Sequence, residues 1–351
     1  MRRIALSIAL LALIVSVNTV QSVQQKDYAV SSYGKISYKE DTHKFMWGAV
    51  VSDTAWGADY PGCYFGENQV KILATSGATA VRIMLDKNSW SGDKDYIKQL
   101  VDWCHNEGLD VLLDLTRDSS MNPFEAPEKQ QVIESSSMRT AWIDWGKEVI
   151  AYCNPDAIGL MNEPYYPDFA YYFDNFVVPS IGAYRAVDPN VIIFVMGLSP
   201  TDIGGFAAGG YGDSLLADDK VIFEWHIYFT YPMSLSDTSQ IWYNTCTSYG
   251  EGNLADAKNY LQQYLAWKFS GFPLTKINVA ELGCASMTED VPSQPHWDVF
   301  MQDFYDYVAE NELNGLFQYA VSTKYYRMFD YTTDYTTLTP YGELWCQNCP
   351  K

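Results

Sequence analysis

The chain has 351 residues, 48% of them apolar and 19% charged, and carries a formal net charge of −20. That length and apolar content allow either two domains or one α/β barrel of about 250 residues or more. The acid excess repels phosphate and argues against nucleic acid as a partner, whereas a neutral substrate meets no electrostatic penalty.

Taken from its start, the chain places Arg2 and Arg3 before a 12-residue apolar run at residues 4–15. The run is short for a membrane span and reads as a secretory signal peptide ending near Val20-Gln21-Ser22. Residues 1–22 are then a signal and 23–351 one extracellular domain with no membrane contact after cleavage; a retained anchor is the alternative. The seven cysteines are Cys63, Cys104, Cys153, Cys246, Cys284, Cys346 and Cys349. Export permits disulfides, but an odd count leaves at least one thiol over. Cys346-x-x-Cys349 reads as a local staple or as two idle thiols.

Residues 35–38 and 44–47 flank a polar turn and predict a hairpin leading into a first buried strand at 47–50. A helix at 69–76 stops at Gly77, and a strand follows at 80–85. Helical spacing of Ile97, Leu100, Val101 and Cys104 predicts a helix at 96–107 capped by Gly108, followed by a strand at 109–115. A helix at 138–153 precedes the apolar run Ala157-Ile158-Gly159-Leu160-Met161, a buried strand that ends in Asn162-Glu163-Pro164. A helix at 169–187 and strands at 191–196 and 221–226 come next. A helix at 254–269 leads to a strand at 276–283, which delivers Glu281 at its carboxyl end. A helix at 297–309, a strand at 315–320 and a short helix from 341 to 346 complete the chain. Eight strands mostly alternating with helices predict a parallel sheet closed into a (β/α)8 TIM barrel, a single domain with a short N-terminal hairpin. No Gly-x-Gly-x-x-Gly follows a strand, which argues against a doubly wound open sheet.

In such a barrel the carboxyl ends of the strands converge on one face. Arg82, Asp114, Thr116, Asn162, Glu163, His226, Tyr228, Glu281, Gln318 and Tyr319 fall at or just after such ends. One polar residue there is ordinarily a cap or a solvated rim, but this concentration marks a site. Glu163 and Glu281 have the pattern of paired glycosidase carboxylates, one protonated and one ionised. Burial and repulsion by the second carboxylate are expected to keep Glu163 protonated. Arg82, costly inside an apolar strand without a carboxylate partner, is expected to hold Glu281 ionised.

Asn162-Glu163-Pro164 after one barrel strand, His226-Ile227-Tyr228 after a later one and Glu281-Leu282-Gly283 after the next resemble glycoside hydrolase family 5, a cellulase-like family of retaining barrel glycosidases. Val81-Arg82-Ile83 and the tail Leu338-Thr339-Pro340-Tyr341-Gly342-Glu343-Leu344-Trp345 also resemble it, so the likeness runs from about Phe45 to Trp345. The resemblance implies Glu163 as acid/base and Glu281 as nucleophile. It implies Asn162 on the sugar 2-hydroxyl, Tyr228 and Arg82 holding Glu281, and His226 in the same network. Retaining chemistry expects the two carboxyl groups about 5 to 5.5 Å apart. Two positions depart from the family pattern. Thr116 follows the third barrel strand where a histidine is common, and Tyr319 stands where a tryptophan usually lies beneath the sugar. A tyrosine ring can still stack on a pyranose.

Trp56, Trp90, Tyr165, Tyr166, Tyr231 and Trp242 follow strands and are candidates for sugar contact or for loop packing; Tyr165 and Tyr166 adjoin Glu163. His43, His105 and His296 lack metal-ligand spacing and no calcium loop is present, so neither metal nor other cofactor is expected. The expected activity is endo-acting, retaining hydrolysis of a β-1,4-linked oligo- or polysaccharide by a monomer. β-1,4-Glucan comes first and β-mannan second. A transglycosylase would share every residue named, and a non-catalytic carbohydrate-binding barrel would have lost a catalytic carboxylate.

Overall fold

The computed structural model describes residues 28–30, 36–38, 46–51, 65–121, 123–198, 205–206, 211–229, 240–284, 296–320, 328–329 and 336–349. Two short strands, β1 (Tyr28–Val30) and β2 (Ile36–Tyr38), pair antiparallel with Tyr28 opposite Tyr38. The hairpin therefore forms upstream of the position read from the sequence. Residues 36–38 pair backward with 28–30, while Met46 and Trp47 of the expected second strand belong to the barrel strand β3 (Met46–Val51); residues 44–45 lie outside the described residues. The expected signal segment lies outside the described residues, as do Trp56, Cys63 and Tyr231. No helix among the described residues is long and apolar enough to cross a membrane.

The chain then alternates. Helix α1 (Glu67–Ser76) ends on Gly77, whose φ of 98° suits a residue without a side chain. It is followed by β4 (Ala80–Asp86), α2 (Trp90–Asn106), β5 (Asp110–Arg117), α3 (Ala126–Glu134), α4 (Ser136–Cys153) and β6 (Ala157–Gly159). Ser135 caps α4 by accepting from the Met138 amide. A π turn (Phe173–Val177) separates α5 (Phe169–Tyr172) from α6 (Val178–Val187). Then come β7 (Ile192–Met196), α7 (Gly212–Leu216), β8 (Val221–Phe229), α8 (Gln240–Gly250), α9 (Leu254–Lys268), β9 (Ile277–Cys284), α10 (Trp297–Glu310), β10 (Gly315–Gln318) and α11 (Pro340–Asn348).

Strands β3 to β10 form a closed parallel barrel, with β10 pairing back onto β3. Its strands are buried on both faces, as parallel strands covered by helices must be. Met46, Val50, Ala80, Met84, Leu112, Ala157, Phe194, Ile222, Ala280 and Phe317 fill the interior. A larger apolar layer lies between barrel and helices.

The carboxyl ends of the strands are where this interior turns polar. Alternation carries the inward face of β4 from Ala80 to Arg82 and Met84, and that of β5 from Leu112 to Asp114 and Thr116. In β9 alternation alone would turn Glu281 outward, since Ala280 faces the interior. A register shift resolves this. Trp225 pairs with Val279 but His226 pairs with Glu281, and on the other side Leu316 pairs with Val279 but Gln318 with Leu282. Both neighbours thus skip one residue of β9. The bulge re-aims Glu281 into the barrel mouth.

Candidate active site

Arg82 is the fixed point of the site. It is fully buried and meets three carboxylates and one amide. Nη1 donates to Glu281 Oε1 at 2.7 Å; Nη2 lies 2.7 Å from Asp114 Oδ2, 2.8 Å from Asn162 Oδ1 and 3.0 Å from Glu224 Oε1. A guanidinium pays heavily for losing water, and only such a set of acceptors makes its burial tolerable. The carboxylates hold it protonated, against the opposing effect of burial. Asp114 fits beside it because Gly159 faces it from β6: a Cβ at Gly159 would collide with Asp114 Oδ1. Thr116 Oγ1 donates to Asp114 Oδ2 at 3.1 Å, so the residue standing at the usual histidine position braces the arginine's partner. Burial pushes the Asp114 carboxyl up to about 7, with Arg82 opposing.

Glu281 is held from two sides. Arg82 binds one oxygen and the Tyr228 hydroxyl donates to the other. Tyr228 and His226 lie on the same face of β8, two residues apart. Glu163 follows β6 in the left-handed backbone region, with φ of 47°. Its Oε1 lies 3.0 Å from His226 Nδ1. Ligand atoms of Glu163, His226 and Glu281 all fall within 4.8 Å of one another, so the two glutamates expected to face each other do so.

His226 is buried between carboxylates. Nδ1 faces Glu163 at 3.0 Å and Glu281 Oε2 at 3.6 Å, and Nε2 faces Glu224 Oε1 at 3.0 Å. Burial works against the imidazolium, but the surrounding carboxylates outweigh it and push the ring up to about 10. This corrects one expectation from the sequence. Burial does favour a protonated Glu163, yet the His226 hydrogen bond and charge, with Lys129 and Arg82 adding to them, hold its carboxyl below the usual range. The neighbouring cation wins because it sits in contact, whereas water is only partly excluded. Glu163, His226 and Glu281 also have the spacing of a metal-ligand set. They do not fit a metal: both ring nitrogens already face carboxylates, and an imidazolium offers no lone pair.

Asn162 Oδ1 is taken by Arg82, which leaves its amide nitrogen as the donor for a ligand. Tyr319 is half-buried, edge-on to Tyr228 with ring centroids 5.7 Å apart, and the Tyr341 hydroxyl of α11 donates to its carbonyl at 3.1 Å. Tyr165 is exposed on the rim (48%), while the ring of Tyr166 is stacked on Tyr171 at 5.0 Å. Gln318 points away from the cleft, accepting from Tyr305 and donating to the Leu282 carbonyl. Trp90 and Trp242 are not loop aromatics. Both are buried in helices, α2 and α8, where Trp242 packs on Tyr264 at 4.8 Å. Cys346 is a free thiol that donates to the Ser76 carbonyl, so Cys346 and Cys349 are not a staple.

Two site residues escaped the sequence reading. Glu224 is a single acid inside an apolar strand, and Glu-x-His-x-Tyr puts it on the same face as His226 and Tyr228. Lys129 lies on α3, nearly buried, and its charge reaches Glu163; nothing in the local sequence distinguishes it from a surface lysine.

A family model described as cellulase (glycosyl hydrolase family 5) matches residues 38–317. No curated protein matches the chain. Among solved structures, an endocellulase from Pyrococcus horikoshii crystallised with cellotetraose is 15% identical, covering 90% of this chain and 97% of its own, with a TM-score of 0.57. A mannanase catalytic domain from Streptomyces sp. SirexAA-E is 16% identical over 93% and 92%, with a TM-score of 0.54. An endo-β-1,4-glucanase from Xanthomonas axonopodis pv. citri is 14% identical over 87% and 99%, with a TM-score of 0.56.

Proposed function

The chain belongs to glycosyl hydrolase family 5, and from that premise we propose that it is a retaining endo-β-glycosidase in which Glu281 is the nucleophile and Glu163 the acid/base. The observation that carries this reading is the approach of the two glutamates. With oxygens of the two carboxyl groups within 4.8 Å of each other, the pair fits the closer spacing of double displacement better than the wide spacing of inversion.

Each role follows from what holds the group. Arg82 and Tyr228 each hold one oxygen of Glu281, so it attacks the anomeric carbon without first being ordered. Glu163 delivers a proton to the leaving oxygen, and a glycosyl ester forms on Glu281. Glu163 then takes a proton from water as that water attacks the same carbon and releases Glu281. The Asn162 amide nitrogen is placed to bond the sugar 2-hydroxyl. Tyr319 supports the ring at the point of cleavage, and Tyr165 contacts sugar beyond it.

β-1,4-Glucan is the first substrate and β-mannan the second. Two of the structural neighbours are named for glucan or cellulose and one for mannan, all at low identity, and Tyr319 replaces the ring that usually contacts the reacting sugar. Residues 1–22 are read as an export signal on the strength of Arg2, Arg3 and the apolar run. Glu281→Ala is expected to abolish hydrolysis, with azide restoring turnover as a glycosyl azide of the opposite anomeric configuration, since azide enters where the carboxylate was and displaces the leaving group once. Normal activity in that variant would remove Glu281 from the role. A panel of soluble β-glucans, mannans and xylans with product lengths recorded fixes the substrate, and single-residue release from chain ends would contradict endo action.

A further inference from the structure

Glu224 is the buried carboxylate for which the two-glutamate chemistry has no use. It lies on β8 with 1% of its surface exposed, two residues before His226. Its Oε1 receives both Arg82 Nη2 and His226 Nε2, each at 3.0 Å. On the other edge of the ring Nδ1 faces Glu163 Oε1. A neutral imidazole has one N–H and can satisfy only one of two ionised acceptors; with carboxylates on both nitrogens, both must donate. The charged groups around the ring come from several strands: Arg82 on β4, Asp114 on β5, Glu163 after β6, Glu281 on β9 and Glu224 on β8 itself; β7, which also pairs with β8, adds none. Tyr228, next along the same face, gives its hydroxyl to Glu281.

We propose that Glu224 positions a proton for catalysis: anchored on Arg82, it keeps the Nε2–H of His226 occupied, so that Glu224–His226–Glu163 is a relay that loads the acid/base through Nδ1. The inference rests on the reading of Glu163 as acid/base. In the resting site the pair is Glu163 carboxylate and His226 imidazolium. Sugar entering the cleft displaces water, and a charge-separated pair then gives way to a neutral one. The Nδ1–H bond breaks, its electrons stay on Nδ1, and an O–H bond forms on Glu163. Net charge is unchanged, and Nε2–H still donates to Glu224. Glu163 passes this proton to the leaving oxygen. In the second half-reaction Glu163 takes a proton from the attacking water, and that proton returns to Nδ1. One proton is lent and one is recovered in each turnover.

Glu224→Gln tests the relay in the full chain. The amide oxygen still accepts from Arg82 and His226, but the anion that favours the imidazolium is gone. The basic limb of kcat/KM on an aryl β-cellobioside with a poor leaving group is expected to move down by about one pH unit or more, with a smaller shift for an activated leaving group. Glu224→Asp, which keeps the charge, is expected to restore the limb in part. A basic limb that stays in place in Glu224→Gln while the rate falls evenly at all pH values would reduce Glu224 to a structural role and overturn the relay. Should Glu224→Gln not fold, long-range proton–nitrogen NMR of the wild-type imidazoles decides. His226, identified by loss of its signal in His226→Gln, is expected to carry protons on both nitrogens at pH 7.5, and a single proton there overturns the proposal. The two readings fail differently. Glu163→Gln losing rate equally on good and poor leaving groups would remove Glu163 as the acid, whereas an unmoved limb removes only the relay.

Discussion

Gly159 shows how much of the site rests on what is missing from a side chain. The place its Cβ would occupy belongs to Asp114 Oδ1, and Asp114 in turn holds Arg82, which holds Glu281. Gly159→Ala is therefore expected to push Asp114 off the guanidinium, lowering stability by about 1–3 kcal/mol and kcat/KM along with it; urea denaturation and steady-state kinetics measure both. An unchanged kcat/KM would mean that Asp114 does not brace Arg82. At this scale the residues at strand ends were legible in the sequence because polar groups stand out against apolar runs: Arg82, Asn162, Glu163, His226, Tyr228 and Glu281 all meet in one cluster. Glu224 and Lys129 were not legible. One is hidden by being a single acid inside a strand, the other by sitting on a helix whose approach to Glu163 only the closed barrel creates. The ionised state of Glu163 is not legible for a related reason, because burial can be inferred from a sequence but a histidine in contact 63 residues away cannot.

The elements were easiest to place where period and caps agreed, as at Gly77 and over residues 138–153. They were hardest where tertiary pairing decided. Met46 and Trp47 have hairpin chemistry but are taken by β3, and Trp242 follows a strand yet lies in a helix packed on Tyr264. The bulge in β9 is invisible to alternation, and it is what turns Glu281 inward. Deleting Ala280 closes the bulge and returns Glu281 to the helix layer, so the deletion variant is expected to be inactive and to melt at a lower temperature, as a buried unpaired carboxylate demands. Wild-type activity in the deletion would show that Glu281 reaches the cleft without the bulge. Helix α11 acts on the same region from outside. The Tyr341 hydroxyl bonds the Tyr319 carbonyl at 3.1 Å and also contacts Gln318, tying the end of β10 to the tail. Tyr341→Phe is expected to cost about 1 kcal/mol in urea denaturation and to raise KM through Tyr319, and no change in either would detach the tail from the site.

Over the whole molecule the buried charges give stability a direction in pH. His226 is held up at about 10 from an ordinary 6.5, so its contribution is complete below 6.5 and is lost as pH rises toward 10. Asp114, raised from 3.8 to about 7, contributes fully below 3.8 and loses that contribution on the way to 7. Glu163 and Glu224, held below 4.5, lose theirs only as pH falls beneath that value. Self-repulsion of a chain with a net charge of −20 adds to the loss at high pH. The melting temperature is expected to peak at mildly acidic pH and to fall from 6.5 to 10; a melting temperature that climbs across that window would contradict the charge assignment. The closed eight-stranded barrel was legible from the alternation of strands and helices, because that pattern has few other ways to bury both faces of a parallel sheet. If Glu281 is the nucleophile and Glu163 serves the leaving group, sugar becomes covalently bound to Glu281 during turnover. Incubation with an activated 2-deoxy-2-fluoro-β-cellobioside, followed by intact mass and peptide mapping, tests it most directly. One fluorosugar per chain, attached to the peptide at Glu281, is the predicted result; an unlabelled chain that nonetheless hydrolyses cellobiosides, or a label on any other residue, would contradict it.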